Sequence, residues 1–218
     1  KRYSFLVGEN ENSHTAQSQL LPLLEDDVNN PTLKQIEDVF GVEIVTKEFF
    51  EKYKELFLQV SNHLEEIVRK DINVKNDFES KEISIGDFAK KLLGQIVFLY
   101  FLQKKGWFGV ERGNSWGTGS KSFLRDLFDG KVIKYTNFFN DVLEPLFYEA
   151  LATDRTVYDH FSSHFNSRIP FLNGGLFDPI SNYDWINTDI IIPNELFSNK
   201  YISQDKHKDT QSSYILKL

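Results

Sequence analysis

Residues 77–81 combine two carboxylates with a lysine, which is the residue chemistry of a metal-dependent nuclease. In such enzymes carboxylates hold Mg²⁺, and a lysine steadies the attacking water and the developing charge. The nuclease motif places these residues on adjacent strands, with its first aspartate well upstream. Here Asp77, Glu79 and Lys81 lie in a polar stretch that is predicted to link two helices, so we interpret them as an exposed charged loop.

Two other patterns resemble ligand sites but differ from them in spacing or residue type. Residues 117–122, GTGSKS, lack the glycine directly before lysine that lets the amides of a phosphate loop cradle phosphate, because Ser120 intervenes. His160 and His164 are four residues apart on a predicted helix, but Phe161 stands where a zinc protease carries its glutamate. We therefore predict a flexible loop and no hydrolytic metal site.

An adenine methyltransferase would be expected to carry an Asn-Pro-Pro-Tyr-type tetrapeptide, which grips a flipped adenine. The segment Asn30-Pro31-Thr32 does not qualify, and no glycine-rich strand–turn–helix that could hold S-adenosylmethionine is present. The prediction for this segment is therefore no catalytic residue, no cofactor-binding residue and no metal ligand.

Five basic residues are predicted to surround one helix end and the loop after it. Lysine and arginine side chains in such a cluster could hold DNA phosphates, although they would equally suit a capped helix end with solvated charge. The candidate DNA-backbone contacts are Lys104, Lys105, Arg112, Lys121 and Arg125.

The composition limits the classes of function. The chain has 218 residues and a formal net charge of −7, which argues against a basic shell that wraps nucleic acid on all sides. It contains no Cys, which excludes disulfides and thiolate chemistry, and no Met, so we interpret it as a fragment of a longer protein. The apolar run Ile96 to Leu102 is far shorter than the ~20 residues of a membrane span. We also predict a cytoplasmic location.

Hydrophobic periodicity predicts three long helices, and these helices must position the candidate residues described above. The first has an apolar stripe from Phe49 to Val68 and Thr46 as its N-cap, after an extended segment at 42–45. The second, Phe88 to Trp107, is apolar on most faces and therefore predicts the central core helix. The third, Asn137 to Leu151, should kink at Pro145.

Shorter elements complete the predicted mostly α fold, a multi-helix bundle with a few short peripheral strands. A strand is predicted at 3–7, an Asn-Gly-Gly turn at 173–175, and a short helix capped by Asn194; further helices are predicted at 15–24, 32–40, 122–128 and 154–165. The predicted divisions are an N-terminal part at 1–45, a bundle core at 46–165 and a turn region with polar tail at 166–218.

Several phrases in this order resemble the region upstream of the methyltransferase domain in type IIG restriction–modification enzymes. Those enzymes join a DNA endonuclease, a helical connector, an adenine-N6 methyltransferase and a target-recognition region in one polypeptide. The resemblance runs from about Lys1 to Phe197. The phrases are KRYSFLVG at 1–8 with HTA at 14–16, VEIVTKEFFEKYKELF at 42–57, FAKKLLGQIVFLYFLQKKGW at 88–107, NFFNDVLEPLFYEAL at 137–151 and IPFLNGGLFD at 169–178.

The resemblance implies a connector that holds a nuclease and a methyltransferase at a fixed separation on double-stranded DNA. It implies S-adenosylmethionine and Mg²⁺ for the parent protein, with the nuclease motif before Lys1 and the methyltransferase motifs after Leu218. Two alternatives stay open: the helical region of a phage-defence adenine methyltransferase without a nuclease, and a non-enzymatic protein-interaction module.

Overall fold

A computed structural model describes residues 14–25, 30–40, 42–172 and 174–198. The chain divides into two compact units, Lys1–Lys54 and Glu55–Leu218. The predicted strand at 3–7, Asn173 and the polar tail after Lys200 lie outside the described residues.

The first unit contains two short helices and the start of a long one. Helix α1 spans His14–Leu24, and α2 spans Leu33–Val39. Thr32 caps α2 as predicted: its side chain accepts from the Gln35 amide while the Gln35 side chain accepts from the Thr32 amide. Helix α3 spans Val42–Lys70, so the predictions of an extended segment at 42–45 and of Thr46 as N-cap are wrong.

Helix α4, Ile72–Ser80, replaces the predicted polar linker. Asp71 begins it by accepting hydrogen bonds from the amides of Asn73 and Val74, at 2.8 and 3.3 Å. Val74 and Phe78, one turn apart, are its buried side chains. Two apolar residues at this spacing are enough to anchor a short helix to a core, and the charged residues around them concealed the pattern.

Helix α5, Ile85–Lys104, is the predicted central helix. The Ser84 hydroxyl caps it by accepting from the Asp87 amide at 3.0 Å. Its buried positions cover most of the circumference. Gly106 follows its C-cap with a φ of 68°, as the helix-end chemistry predicts. Helix α6, Phe123–Phe128, packs against α5 and is followed by Gly130 with a φ of 66°.

The third predicted helix is π-helical rather than α-helical. It consists of Phe139–Leu143 and Pro145–Leu151, and Glu144 joins the two segments. Pro145 carries no N–H, so the regular ladder of α-helical hydrogen bonds cannot pass through this position. The Glu144 amide instead donates to the Phe139 carbonyl, five residues back.

The last part of the chain is mostly irregular. It contains 3₁₀ turns at Thr156–Tyr158, Ile180–Asn182 and Asn194–Phe197, and strands β1, Phe161–Ser162, and β2, Ser167–Arg168, which pair antiparallel. The predicted helix at 154–165 is wrong, because the chain turns sharply there: Asp159 and His160 have φ values of 53° and 58°. His160 and His164 consequently share no helix face.

The core of the second unit is rich in aromatic rings. Phe88 of α5 lies at its centre, with ring centroids 5.3 Å from Phe78, 6.1 Å from Phe139 and 5.4 Å from Tyr183. One ring of α5 thereby joins α4, the π-helical region and the last segment. The mostly α prediction is confirmed. In the described part of the chain, no helix is both long and apolar enough to cross a membrane.

Candidate nucleic-acid interface

The basic residues lie where α5 ends and its loop folds back on it. The Gly106 carbonyl accepts hydrogen bonds from the amides of Gly117 and Gly119, at 3.1 and 2.9 Å. A Cβ at Gly119 would lie 2.0 Å from the Phe108 carbonyl oxygen, so only glycine fits. These two amides are committed to closing the loop and therefore do not point at a ligand.

Three of the five predicted basic residues meet at this closure. The Lys121 ammonium donates to the Lys104 carbonyl at 2.6 Å, and Lys105 is the C-cap of the same helix. The Lys105 ammonium lies 5.6 Å from the centroid of the Phe101 ring, which is 52% exposed. Three exposed lysines with an exposed aromatic ring therefore occupy one end of α5.

Each of the two predicted arginines, Arg112 and Arg125, lies over an aromatic ring. Exposed Arg112 lies with its guanidinium carbon 3.8 Å from the centroid of the Phe161 ring in β1. Arg125 is half-buried on α6 and lies 5.4 Å from the Phe128 ring. The arginines therefore lie over rings of β1 and α6, whereas the lysines lie at the end of α5.

Carboxylates in this region neutralise other cations. Asp126 accepts from Lys131 at 2.9 Å and from the Ser122 hydroxyl at 2.9 Å, and Asp129 also lies 3.1 Å from Lys131. Within the described part of the chain, Lys104, Lys105, Arg112 and Lys121 form no ion pair with a carboxylate; the ion pairs found there belong to other cations.

Arg168, which the sequence did not single out, fixes the loop that carries Arg112. Its guanidinium donates to the Asp159 carbonyl, the Asp159 carboxylate and the Asn114 carbonyl, at 2.9, 2.8 and 2.6 Å. It also stacks on Trp116, with its guanidinium carbon 4.3 Å from the ring centroid. Arg168 itself is buried, while its partners Asp159 and Asn114 are exposed, and its contacts join residues 114–116 to the turn before β1.

A buried polar cluster lies deeper in the same unit and was also missed. The Tyr183 hydroxyl donates to Glu144, whose other carboxyl oxygen is buried and has no hydrogen-bond partner among the described residues. The Tyr148 ring lies 5.6 Å from the Tyr183 ring, and the buried Gln95 amide donates to the Leu176 carbonyl at 2.9 Å. A charged residue directly before proline in an apolar run is the one sequence signal that could have indicated it.

Burial raises the pKa of Glu144 to about 9, with Asp189 and Asp141 adding repulsion and the Tyr183 hydroxyl opposing the shift. Burial likewise raises the pKa of Tyr148 and of Tyr183. Glu144 is therefore a neutral carboxylic acid at pH 7. Among the described residues, no group of three or more histidine, cysteine, aspartate or glutamate side chains that could hold a metal ion is present.

The other residues that the sequence analysis considered for chemistry form contacts within the fold. Asp77 lies on α4, pairs with Lys81 at 2.5 Å and accepts from the Asp184 amide at 3.1 Å. The interpretation of Asp77 as part of an exposed loop is therefore wrong. Its carboxylate forms a hydrogen bond that joins α4 to a distant segment of the chain. His164 has its Nε2 3.4 Å from the Asp141 carbonyl oxygen, and the His160 ring contacts Trp116.

The Asn194 side chain also differs from its predicted role. It does not cap the 3₁₀ turn that begins at its own position. Its oxygen accepts from the Phe138 amide at 2.7 Å, and its nitrogen donates to the Thr136 carbonyl at 3.0 Å. Asn194 therefore serves the start of the π-helical region.

In the predicted turn at 173–175, Gly175 has a φ of 72°, as a glycine turn requires. Phe177 is buried, whereas Leu176 is 37% exposed.

Comparison with protein-family models, with curated proteins and with solved structures finds no match to this chain.

Proposed function

We propose that this chain is a helical connector of a DNA restriction–modification protein of the type IIG kind, and that the end of α5 contacts the DNA backbone. The observation that carries the DNA contact is the meeting of Lys104, Lys105 and Lys121 at one closed helix end. The connector role rests on the sequence resemblance. A cytoplasmic location, and S-adenosylmethionine and Mg²⁺ chemistry in the parent protein, belong to the same proposal.

The physical case for phosphate binding is the state of these lysines. Their ammonium groups are exposed and unpaired with carboxylates in the described part of the chain. Each lysine that neutralises a phosphate releases condensed counterions, which favours binding at low salt. The chain as a whole is acidic, with a net charge of −7, so DNA should meet it at a limited surface.

The physical case for a connector is stiffness. Helix α5 has 20 residues and is enclosed by packed elements of the second unit, so its two ends keep a fixed separation. A flexible linker of the same length would instead spread the distances between the parts that it joins.

The DNA contact is tested by fluorescence anisotropy with a labelled DNA duplex across a salt series. The variant K104Q/K105Q/K121Q should weaken binding and lower the slope of log K against log salt by about 1 for each lysine that touches phosphate. The variant K47Q/K75Q/K90Q, which removes the same charge at other exposed positions, is the matched control and should bind like the unmodified chain.

Equal losses in the two variants would exclude a local contact at the end of α5. If the unmodified chain binds no duplex at low salt, the DNA contact itself is excluded, and the protein-interaction module becomes the better description.

The connector role needs the longer protein that the resemblance implies. Deleting the bundle core there should uncouple the position of cleavage from the recognition site, and an unchanged cut distance would exclude the spacer role. A nuclease motif encoded before Lys1 would favour the restriction–modification assignment over a phage-defence methyltransferase without a nuclease.

A further inference from the structure

The last turns of α5 carry an exposed aromatic ring that the fold holds in place. Phe101 is 52% exposed, and its ring centroid lies 5.8 Å from that of Phe98. The Phe98 ring lies 6.0 Å from the ring of Phe177, which lies 5.7 Å from the ring of Phe147. Phe177 and Phe147 are buried. A row of rings therefore connects Phe101 to the core, so a ligand that stacks on Phe101 would restrict little further side-chain freedom.

The face of α5 that carries this ring is open. Positions 94, 98, 101 and 105 follow one another at steps of four, three and four residues, so they lie on one face of the helix. Apart from its own helix backbone, a Cβ at Gly94 would meet no atom of the described residues within 4 Å. Phe98 is half-buried, and Phe101 and Lys105 are exposed. A flat ligand can therefore reach the Phe101 ring.

The surroundings of the ring are positively charged, although the chain as a whole is acidic. Residues 88–110 contain four lysines and no aspartate or glutamate, in a chain with a net charge of −7. The Lys105 ammonium lies 5.6 Å from the centroid of the Phe101 ring, and Lys104 and Lys121 occupy the same helix end. In the described part of the chain, these three lysines form no ion pair with a carboxylate. The ligand that suits this surface combines a flat ring with negative charge.

We propose that the Phe101 ring stacks on an unpaired base of single-stranded DNA, while Lys104, Lys105 and Lys121 hold the phosphates beside that base. Proteins that bind single strands combine exposed aromatic rings with a positively charged surface in this way. In an intact duplex the faces of the bases are covered by their neighbours, so a ring on a protein surface cannot stack on them. The inference rests on the proposed DNA contact at this helix end and extends it from phosphate to base.

The test is fluorescence anisotropy with a labelled oligothymidylate of about 12 nucleotides and with an abasic strand of the same length, which has the same phosphates but no bases. The unmodified chain should bind the oligothymidylate at least about fivefold more tightly, because one base stacked on an aromatic ring contributes at least that much. Equal affinity for the two strands would overturn the proposal. Displacement of the oligothymidylate by an equal concentration of the acidic peptide acetyl-Glu-Leu-Phe-Glu-amide would indicate a protein partner and would also overturn it.

The variant F101L removes the aromatic ring but keeps an apolar side chain at a half-exposed position, so the fold should survive. It should weaken the oligothymidylate at least about fivefold and leave the abasic strand unchanged, since the phosphate contacts remain. F101W keeps an aromatic face and should bind the oligothymidylate like the unmodified chain. The control F50L makes the same change at Phe50 of α3, which is 59% exposed, and should bind both strands normally.

Two outcomes with these variants would overturn the stacking. Equal affinity of F101L and F101W for the oligothymidylate would show that the ring does not contact a base. An equal loss of both strands in F101L would show that the substitution disturbs the lysines and not a stacked base.

The duplex titration described for the proposed function separates the two proposals. F101L should leave duplex binding and its salt dependence unchanged, because the duplex is held by its phosphates. Duplex binding that depends on the three lysines, without any preference for the oligothymidylate over the abasic strand, would keep the backbone contact and overturn the stacking. A preference for the oligothymidylate that F101L abolishes, without duplex binding, would support the stacking and show that this helix end takes single strands only.

Discussion

Glu144 is a carboxyl group that the fold keeps away from water, in contact with the Tyr183 hydroxyl. Its pKa of about 9 in the folded protein lies above the ordinary value of 4.5. Between these two values the folded chain binds one proton more than the unfolded chain, so stability falls as pH rises. Below the ordinary value both states are protonated and this cost disappears.

We predict that this single group makes the free energy of unfolding fall by up to about 1.4 kcal/mol per pH unit across that range. The variant E144Q is uncharged in both states and keeps an oxygen for the Tyr183 hydroxyl. The difference in stability between the two proteins should therefore change with pH, by about 4 kcal/mol over three pH units. Urea unfolding at a series of pH values measures it, and parallel curves would contradict the assignment.

Arg168 should be sensitive even to a conservative change. Lysine cannot reproduce the three directed hydrogen bonds to Asp159 and Asn114 or the stacking on Trp116. We expect R168K to lower the free energy of unfolding by about 2 kcal/mol. The control R69K, at an exposed position, should change it by less than about 0.5 kcal/mol in the same urea unfolding experiment.

At the scale of elements, the loop after α5 approaches the helix end so closely that residue 119 must be glycine. In G119A the new methyl group would meet the Phe108 carbonyl at 2.0 Å, and the loop would have to open. We expect a loss of at least about 2 kcal/mol in stability, together with weaker DNA binding if the proposed interface is correct.

Gly94 provides the opposite case within α5. Apart from its own helix backbone, a Cβ at this position meets no atom of the described residues within 4 Å, and the residue lies in the interior of the helix. G94A should raise the free energy of unfolding by about 0.5–1 kcal/mol, because glycine costs more backbone entropy than alanine. Thermal unfolding of G119A and G94A beside the unmodified chain checks both predictions. A G94A variant less stable than the unmodified chain would contradict the open space around residue 94.

The elements that sequence patterns predicted well have strong local signals. Helix α5 has a long apolar pattern and a glycine after its end, and α2 has a complete capping box. Helix α4 was missed because its two apolar residues, Val74 and Phe78, are surrounded by charged and polar ones. The start of α3 was missed because Thr46 is a good N-cap by type, although the helix begins earlier.

At the scale of the whole molecule, the two units differ in burial. In the described part of the chain, every buried side chain lies at or after Leu56. The second unit, Glu55–Leu218, therefore contains the hydrophobic core, and a unit with its own core can fold alone.

We predict that a fragment of residues 55–218 unfolds cooperatively in urea, with a midpoint close to that of the full chain. A fragment of residues 1–54 should show no cooperative transition. Circular dichroism during urea titration of both fragments checks this. Loss of the cooperative transition in the longer fragment would mean that the first unit is needed to complete the core.

The sequence alone determined the mostly α class, the central position of α5 and the two lysines, Lys104 and Lys105, at its end. These features follow from periodicity, caps and neighbours within a few residues, which act along the local chain. The resemblance to restriction–modification enzymes and the DNA contact stay predictions for the experiments above.

The tertiary structure alone decided the partners of Asp77, Glu144 and Arg168. Their hydrogen-bond partners lie 107, 39 and 54 residues away in the chain: the Asp184 amide, the Tyr183 hydroxyl and the Asn114 carbonyl. The same charged residue is solvated on a surface or paired in a core, and the difference depends on which distant segment packs against it. Packing of distant segments is therefore the reason that the Asp77 carboxylate joins two parts of the chain and that Glu144 is a neutral acid.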